Sequence, residues 1–303
     1  MAREDMPAIS LIAVPGRRRR TLELAQEAER RGFAGIWSPS MFSNMAFCHA
    51  LTHVTETIPF ATSIAPIYAS TVLEFAQSAA FMHEVSGGRF RLGIGVAHAP
   101  SHVRMGVTPG KPLGDTRAFV EALKGHDKLG GLPPVILATL RQKMIALAGE
   151  IGDGLVFANA TRSHVATSLG ALPAARRDDP AFEIANMIPT CISDDIEAAK
   201  AVNRKTLTSY ALLPNYRNYW KEAGFVEEMT AIETAVAQKR LEDVPKYLSD
   251  AWLAECTLFG PATRVRDELA AWRAAGIRTP ILVPSSAAGN QMTAIEEVFA
   301  AFA

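Results

Sequence analysis

The stretch Pro59-Phe60-Ala61-Thr62-Ser63-Ile64-Ala65-Pro66, a helix opening at Thr71-Val72-Leu73-Glu74, and then Ser86-Gly87-Gly88-Arg89-Phe90-Arg91-Leu92-Gly93-Ile94-Gly95-Val96-Ala97-His98 read in order as strand, loop, helix, tight turn and strand. A polar residue, His98, stands where the second strand ends. In parallel α/β proteins ligands bind at the carboxyl ends of the strands, so this stretch suggests both a scaffold and the place of its chemistry.

The same unit recurs along the chain: an amphipathic helix, a glycine, then a short apolar strand. It appears as Glu29-Arg30-Arg31-Gly32 before Phe33 to Trp37, as Gly149-Glu150-Ile151-Gly152 before Leu155-Val156-Phe157, and as Ala274-Ala275-Gly276 before Pro280 to Val283. Glycine after the last helical turn supplies the positive φ that a helix end often needs. Strands that are apolar on both sides suit a parallel sheet covered by helices. Candidate strands fall near 8–14, 34–38, 60–65, 90–96, 134–138, 153–157, 182–192 and 279–283. Eight such strands with helices between them predict a (β/α)₈ TIM barrel, one domain over 1–303. The interval 194–276, between strands seven and eight, is too long for one crossover and reads as a helical insertion: Ile196 to Leu212, Phe225 to Gln238 and Ala262 to Ala274 as helices, and Pro214 to Trp220 as an irregular aromatic connection. Thr71 with Glu74, Thr139 with Gln142 and Thr293 with Glu296 fit the capping-box pattern.

Composition narrows the function classes. Apolar residues make up 49% of 303 and charged residues 20%, which supports a large core and argues against disorder. Lys plus Arg equals Asp plus Glu at 31 each, so no field of one sign recruits nucleic acid or an anionic membrane. The run Arg17 to Arg20 reads as a solvated loop. Cys48, Cys191 and Cys256 are widely separated and in no metal spacing, which points to a reducing, cytoplasmic setting. Met1 to Asp5 carries acids where a signal peptide needs a basic flank, and no segment reaches the ~20 apolar residues of a membrane span. His49 and His53 are four apart but lack an acidic or cysteine partner, so no metal is expected. Gly93-Ile94-Gly95 lacks the third glycine of a dinucleotide fingerprint, because His98 occupies that place. Glycines near a strand end instead let a flat ligand approach the backbone.

At Thr139 two readings stand side by side. The first-turn amides of the following helix, with Arg141 beside them, suit an anion such as a cofactor phosphate. Alternatively, Thr139 and Gln142 satisfy those amides themselves.

Together these segments resemble the luciferase-like flavin-dependent oxidoreductases. The resemblance rests on Gly35-Ile36-Trp37, Ala61 to Pro66, Ser86 to Phe90 with Gly93 to His98, Lys143-Met144 to Gly154, and Thr257 to Ala262 with Pro280 to Ser285, and its nearest branch uses coenzyme F-420, a deazaflavin. It implies a barrel with a late insertion, and a cofactor site of Ser63, Ile64, His98, Ala138, Thr139, Leu140, Arg141 and Asn159. Ser63-Ile64 would back the ring, where the family often carries a non-proline cis peptide. Relatives commonly have glycine and proline at the strand-five turn, where this chain has Thr139 to Gln142. Many place an acid and a histidine after strand two, where Ser40-Met41 stand here. His98, a residue type whose unperturbed ring titrates near neutral pH, is then the candidate proton donor or acceptor, or alternatively only hydrogen-bonds the cofactor or an adjacent loop. Trp37, Ser38, Tyr68 and Asn159, read as following strand ends, would line the mouth, the first three on the substrate side; Trp37 also suits the barrel core, and Asn159 a helix start. The implied activity is hydride transfer between F-420 and a small organic molecule. The alternatives are an FMN-dependent monooxygenase served by a separate flavin reductase, and a barrel that only binds its ligand. Homodimers are common in the family.

Overall fold

The computed structural model describes residues 6–41 and 43–303; Met1 to Asp5, which the reading of the N-terminus used, and Phe42 lie outside them. Among the described residues nine strands are present: β1 (Ala8–Ser10), β2 (Ile36–Ser38), β3 (Phe60–Pro66), β4 (Phe90–Gly95), β5 (Val135–Thr139), β6 (Gly154–Ala158), β7 (Glu183–Ile192), β8 (Leu258–Gly260) and β9 (Thr279–Ser285). They hydrogen-bond in the order β6-β5-β4-β3-β2-β1-β9-β7-β8, and β6 also pairs with β7. Strands one to seven and nine thus close on themselves as an eight-stranded parallel barrel, the (β/α)₈ expectation. β8 is an addition. It pairs with Thr190, Cys191 and Ile192 at the end of β7 and is too short to show a periodicity.

By their internal contacts the residues form two compact units, one running to Phe157 and including Leu169–Ala185, the other comprising Ala158–Ser168 and Asn186–Ala303. In the first, neighbouring strands align Ile9 with Ile36, Ile36 with Phe60, and Phe60 with Phe90, a row of fully buried apolar side chains. The Ser86 to Arg89 turn has a specific task there. All five N–H groups of the Arg89 guanidinium are used: Nε donates to Ser86 O, and the two terminal nitrogens to Thr55 Oγ1, Ile58 O, Thr52 O and Thr55 O at 2.8–3.4 Å. One cation thereby fixes the carbonyls that follow helix Asn44–Val54, where the helix dipole is negative. Glu29 answers from the other side, accepting the backbone N–H groups of Glu56, Thr57 and Ile58. Thr71 caps helix Val72–Val85 as the sequence suggests, its side chain accepting Glu74 N–H at 3.2 Å.

In the second unit the stretch Pro214–Glu222 is a helix, not the irregular connection expected. Proline is well placed at its first position, and Tyr216, Tyr219 and Trp220 fall on one buried face at helical spacing. Trp220 meets Trp252 edge-on with ring centroids 4.7 Å apart. Helices Ile196–Ala211, Val226–Ala237 and Ala262–Ala274 lie where expected, and Asp250–Cys256 adds another. Helix Gln291–Ala301 starts earlier than the Thr293 box implies; Asn290 caps it by accepting Met292 N–H. Among the described residues no helix is long and apolar enough to cross a membrane, and no group of three or more His, Cys, Asp or Glu could hold a metal.

Candidate active site

The site begins with a defect in a strand. Thr62 pairs with Leu92 and Ala65 with Ile94, so Ser63 and Ile64 together oppose the single residue Gly93. This is a β-bulge, one extra residue that re-aims the strand end. The Thr62 hydroxyl takes over the broken ladder: it donates to Gly93 O at 2.8 Å and accepts from Gly93 N at 3.0 Å, all fully buried. Gly93 is required because a Cβ there would run into Thr62 O and come within 2.7 Å of Ser63 O. Asn44 pins the bulge from outside, Nδ2 donating to Ile64 O at 3.0 Å and to Ser38 O at 3.3 Å. The cis peptide that the resemblance implies is not found: no peptide bond among the described residues is cis, and the bulge alone turns the chain.

The ends of β3, β4 and β5 meet at one point. A Cβ built on Gly95 would lie 2.9 Å from both Ile64 Cγ2 and Ala138 Cβ, so glycine is what lets these two side chains close over the end of β4. Beside them, Ser63 Oγ and Thr139 Oγ1 are buried and have no hydrogen-bond partner.

Thr139 is the last residue of β5, and helix Gln142–Ile151 starts after an N-cap at Arg141. The Thr139 to Gln142 capping box is therefore not formed. The N-cap residue Arg141 makes no side-chain capping hydrogen bond, Thr139 Oγ1 bonds none of the amides, and the first turn carries no acid. Of the two readings at Thr139, the one in which the side chains occupy the first-turn amides is removed. Leu140 is half-buried and Arg141 exposed.

His98 stands at the N-cap of helix Ala99–Met105, half-buried. Ala97 before it has φ 58°, a left-handed conformation that costs a residue with a Cβ about 1–2 kcal/mol. Burial, and secondarily the neighbouring His102, hold the His98 pKa below the ordinary histidine value, so its imidazole is neutral at pH 7. His102 bonds Val96 O through Nε2 at 2.5 Å and meets the Tyr68 ring edge-on at 5.6 Å. The Tyr68 hydroxyl donates to Asp115 Oδ2 at 2.5 Å, and that oxygen also accepts Gly110 N–H.

Compared with known sequences, residues 7–127 and 124–279 match the model of the luciferase-like monooxygenases. The chain belongs to the luciferase-like monooxygenase family. It is 28% identical over 203 residues to a 5,10-methylenetetrahydromethanopterin reductase of Methanolobus tindarius, covering 58% of this chain and 62% of that protein, just under two thirds of its length. It is 24% identical over 318 residues to a putative coenzyme F-420-dependent oxidoreductase of Mycobacterium tuberculosis, covering 88% of this chain and 90% of that one. In structure it superposes on the coenzyme F-420-dependent tetrahydromethanopterin reductase of Methanopyrus kandleri with a TM-score of 0.77, at 16% identity and 97% coverage of both chains.

For a member of the luciferase-like family, the residues at these junctions fit a flat ring with a phosphate tail. Two buried hydroxyls, Ser63 Oγ and Thr139 Oγ1, lack partners within the protein, and an uncapped, acid-free helix start lies next to the second. The expected substrate-side residues are placed differently from the reading that set them after strand ends. Trp37 and Ser38 lie inside β2, both buried, with Trp37 aligned to Ser10 and Ala61 in the barrel wall. Tyr68 does follow β3, but its hydroxyl is committed to Asp115. Ser40 and Met41 are exposed. In the second unit, Asn159 follows β6 directly with φ 59° and is buried; it starts no helix, since the next turn begins at Arg162 after Thr161. Asn44, Thr62, His102 and Asp115 escaped the sequence reading. Only Thr62 carried a signal, its place in the Ala61 to Pro66 motif.

Proposed function

We propose that this protein transfers hydride between coenzyme F-420 and a small organic substrate. The observation that carries the reading is the meeting of Ile64, Gly95 and Ala138 beside two buried hydroxyls without partners. The F-420-dependent relative that aligns with 88% of the chain supports the deazaflavin over other flavins. When bound, F-420 supplies a ring carbon that accepts or gives a hydride. The protein does the rest. The bulge at Ser63-Ile64 backs the ring, and the Ser63 and Thr139 hydroxyls bond its polar atoms. The start of helix Gln142–Ile151, with Leu140 and Arg141, receives the phosphate. Neutral His98 takes a proton from a substrate hydroxyl, or returns it in the reverse direction. Tyr68, fixed by Asp115, and the β2 end at Trp37 and Ser38 shape the substrate side.

A second reading keeps the scaffold and exchanges the cofactor: an FMN-dependent monooxygenase fed by a separate reductase. The family's own description as monooxygenases favours it. A homodimer is supported by Leu73, Phe81 and Val85, which leave an exposed apolar stripe along helix Val72–Val85. Three free, buried cysteines fit a reducing, cytoplasmic setting.

The test is anaerobic turnover of a panel of alcohols with oxidised F-420, read from the deazaflavin absorbance. Turnover is expected, and His98→Gln should lower kcat roughly 100-fold with the cofactor dissociation constant unchanged. Turnover only with reduced FMN and oxygen would transfer the assignment to the second reading.

A further inference from the structure

Between the start of helix Asn44–Val54, the end of β3 and the first two turns of helix Val72–Val85, all within the first unit, lies a cavity of about 250 Å³. Its apolar surface comes chiefly from Met45, Ala65, Pro66 and Phe75, and its polar surface includes Ser70, Glu74 and Ser78. Asn44 borders it as well, 5% exposed, with its Nδ2 already given to Ile64 O and Ser38 O. Ile64, Gly95 and Ala138 do not line it, so it is a different place from the proposed ring site.

Among the described residues that line the cavity, Glu74 is the one with an acidic or basic side chain. It is exposed; its Oε1 accepts the Ser78 hydroxyl at 3.0 Å, and no Lys or Arg among the described residues pairs with it. Two histidines stand on the neighbouring helix Asn44–Val54. Burial lowers the His49 pKa and His53 lowers it further, against the pull of Glu74, so the His49 ring is neutral at pH 7 and leaves the carboxylate uncompensated. Both imidazoles lie against Phe81 instead, with ring centroids 5.7 and 6.5 Å from it.

A carboxylate beside two hydroxyls, facing apolar side chains, sorts ligands by their chemistry. An anion is repelled by Glu74. A neutral alcohol gains a hydrogen bond but no attraction between charges. A primary ammonium brings three N–H donors, which the Glu74 carboxylate and the Ser70 and Ser78 hydroxyl oxygens accept. The volume equals that of roughly eight waters, so the ligand is small, and its carbon body meets Met45, Pro66 and Phe75.

We infer that this cavity binds a small primary ammonium ion with an apolar body, such as a cycloalkylamine or a short alkylamine, with its nitrogen at Glu74. The site goes beyond the proposed function and stands whichever flavin-type cofactor the protein uses. Its occupant lies against Asn44, the residue that clamps the β3 bulge.

The experiment titrates the full chain at pH 7 with cyclohexylammonium, cyclohexanol and cyclohexanecarboxylate, by calorimetry and by NMR of the Asn44 side-chain amide and the Met45 methyl group. Cyclohexylammonium should bind about fivefold more tightly than either of the others, the upper range for a partly exposed ion pair, and should move both signals. Raising the salt concentration should weaken the amine and leave cyclohexanol unaffected. Glu74→Gln keeps the length of the side chain and removes its charge. It should weaken the amine about fivefold, with cyclohexanol affinity within about twofold of wild type and a melting temperature close to it. Equal affinity for the three probes, Asn44 and Met45 signals unmoved by the amine, or an amine affinity unchanged in Glu74→Gln would overturn the inference. Amine binding that disappears as the protein concentration rises would give the cavity to a second copy of the chain and overturn it too. Failure of both F-420 and FMN to bind would count against the proposed function alone, since the amine titration uses neither.

Discussion

Replacing Thr62 by valine removes one hydroxyl and leaves the volume of the side chain almost unchanged. In the wild type that hydroxyl serves both the N–H and the C=O of Gly93, opposite the bulge. Both backbone groups are buried, and the bulge has displaced the ladder partners they would otherwise have. Stranding a buried polar group costs about 1–3 kcal/mol, so the pair should cost about 2–4 kcal/mol after local relaxation. That is a sizeable share of the roughly 5–15 kcal/mol by which domains are stable. In a chain of this size it corresponds to a fall in Tm of about 3–6 °C. Thr62→Ser keeps the hydroxyl and loses one methyl group, which should cost only about 1 kcal/mol. Urea unfolding and thermal melting of the two variants separate loss of the hydroxyl from loss of volume. The cofactor dissociation constant of Thr62→Val should rise as well, because Ser63 and Ile64 are the residues the hydroxyl holds in place. A valine variant that melts within 1 °C of wild type, or no lower than the serine variant, would refute the role given to this side chain.

Gly95→Ala places a methyl group 2.9 Å from Ile64 Cγ2 and Ala138 Cβ; overpacking of this kind costs about 1–3 kcal/mol, and ring binding should weaken at least tenfold, measured by fluorescence titration. Arg89→Lys keeps the charge but offers three donors where five are used, so helix Asn44–Val54 should loosen at a cost of about 2–4 kcal/mol, visible as faster hydrogen exchange around Thr52 to Ile58. His49, His98 and His164 all have pKa values pushed below the ordinary histidine value, in each case chiefly by burial. Their neutral forms are favoured by the fold, so the associated stability is complete above the unfolded value of about 6.5 and is lost as pH falls through the folded values. The urea midpoint should therefore drop between pH 7 and pH 5, and by less in His98→Gln; an equal drop in both would remove His98 from that set.

The scaffold was legible because its signals are local and repeated. Glycine after a helix, then a short apolar strand, marked β2, β4, β6 and β9, and apolar runs marked the other four strands that close the barrel, while β8 had three residues and no period of its own. Pro214–Glu222 was misread because its aromatic residues suggested a loop, although Tyr216, Tyr219 and Trp220 are spaced for one helical face. The Thr139 box failed for a physical reason: Thr139 completes β5, so it cannot also cap the helix that begins three residues later. Ser63, Ile64 and Ala138, at the ends of β3 and β5, could be singled out from motif order. The groups that hold them could not. Asn44 reaches Ile64 across 20 residues, and Tyr68 reaches Asp115 across 47, so no spacing rule connects them.

The most direct measurement compares the dissociation constants of F-420 and FMN for the wild-type chain and for Gly95→Ala under identical conditions. Micromolar or tighter binding of F-420, clearly tighter than FMN and weakened by the added methyl group, is expected if the ring rests where Ile64, Gly95 and Ala138 meet. Micromolar binding of FMN alone, or F-420 affinity indifferent to that methyl group, would contradict it.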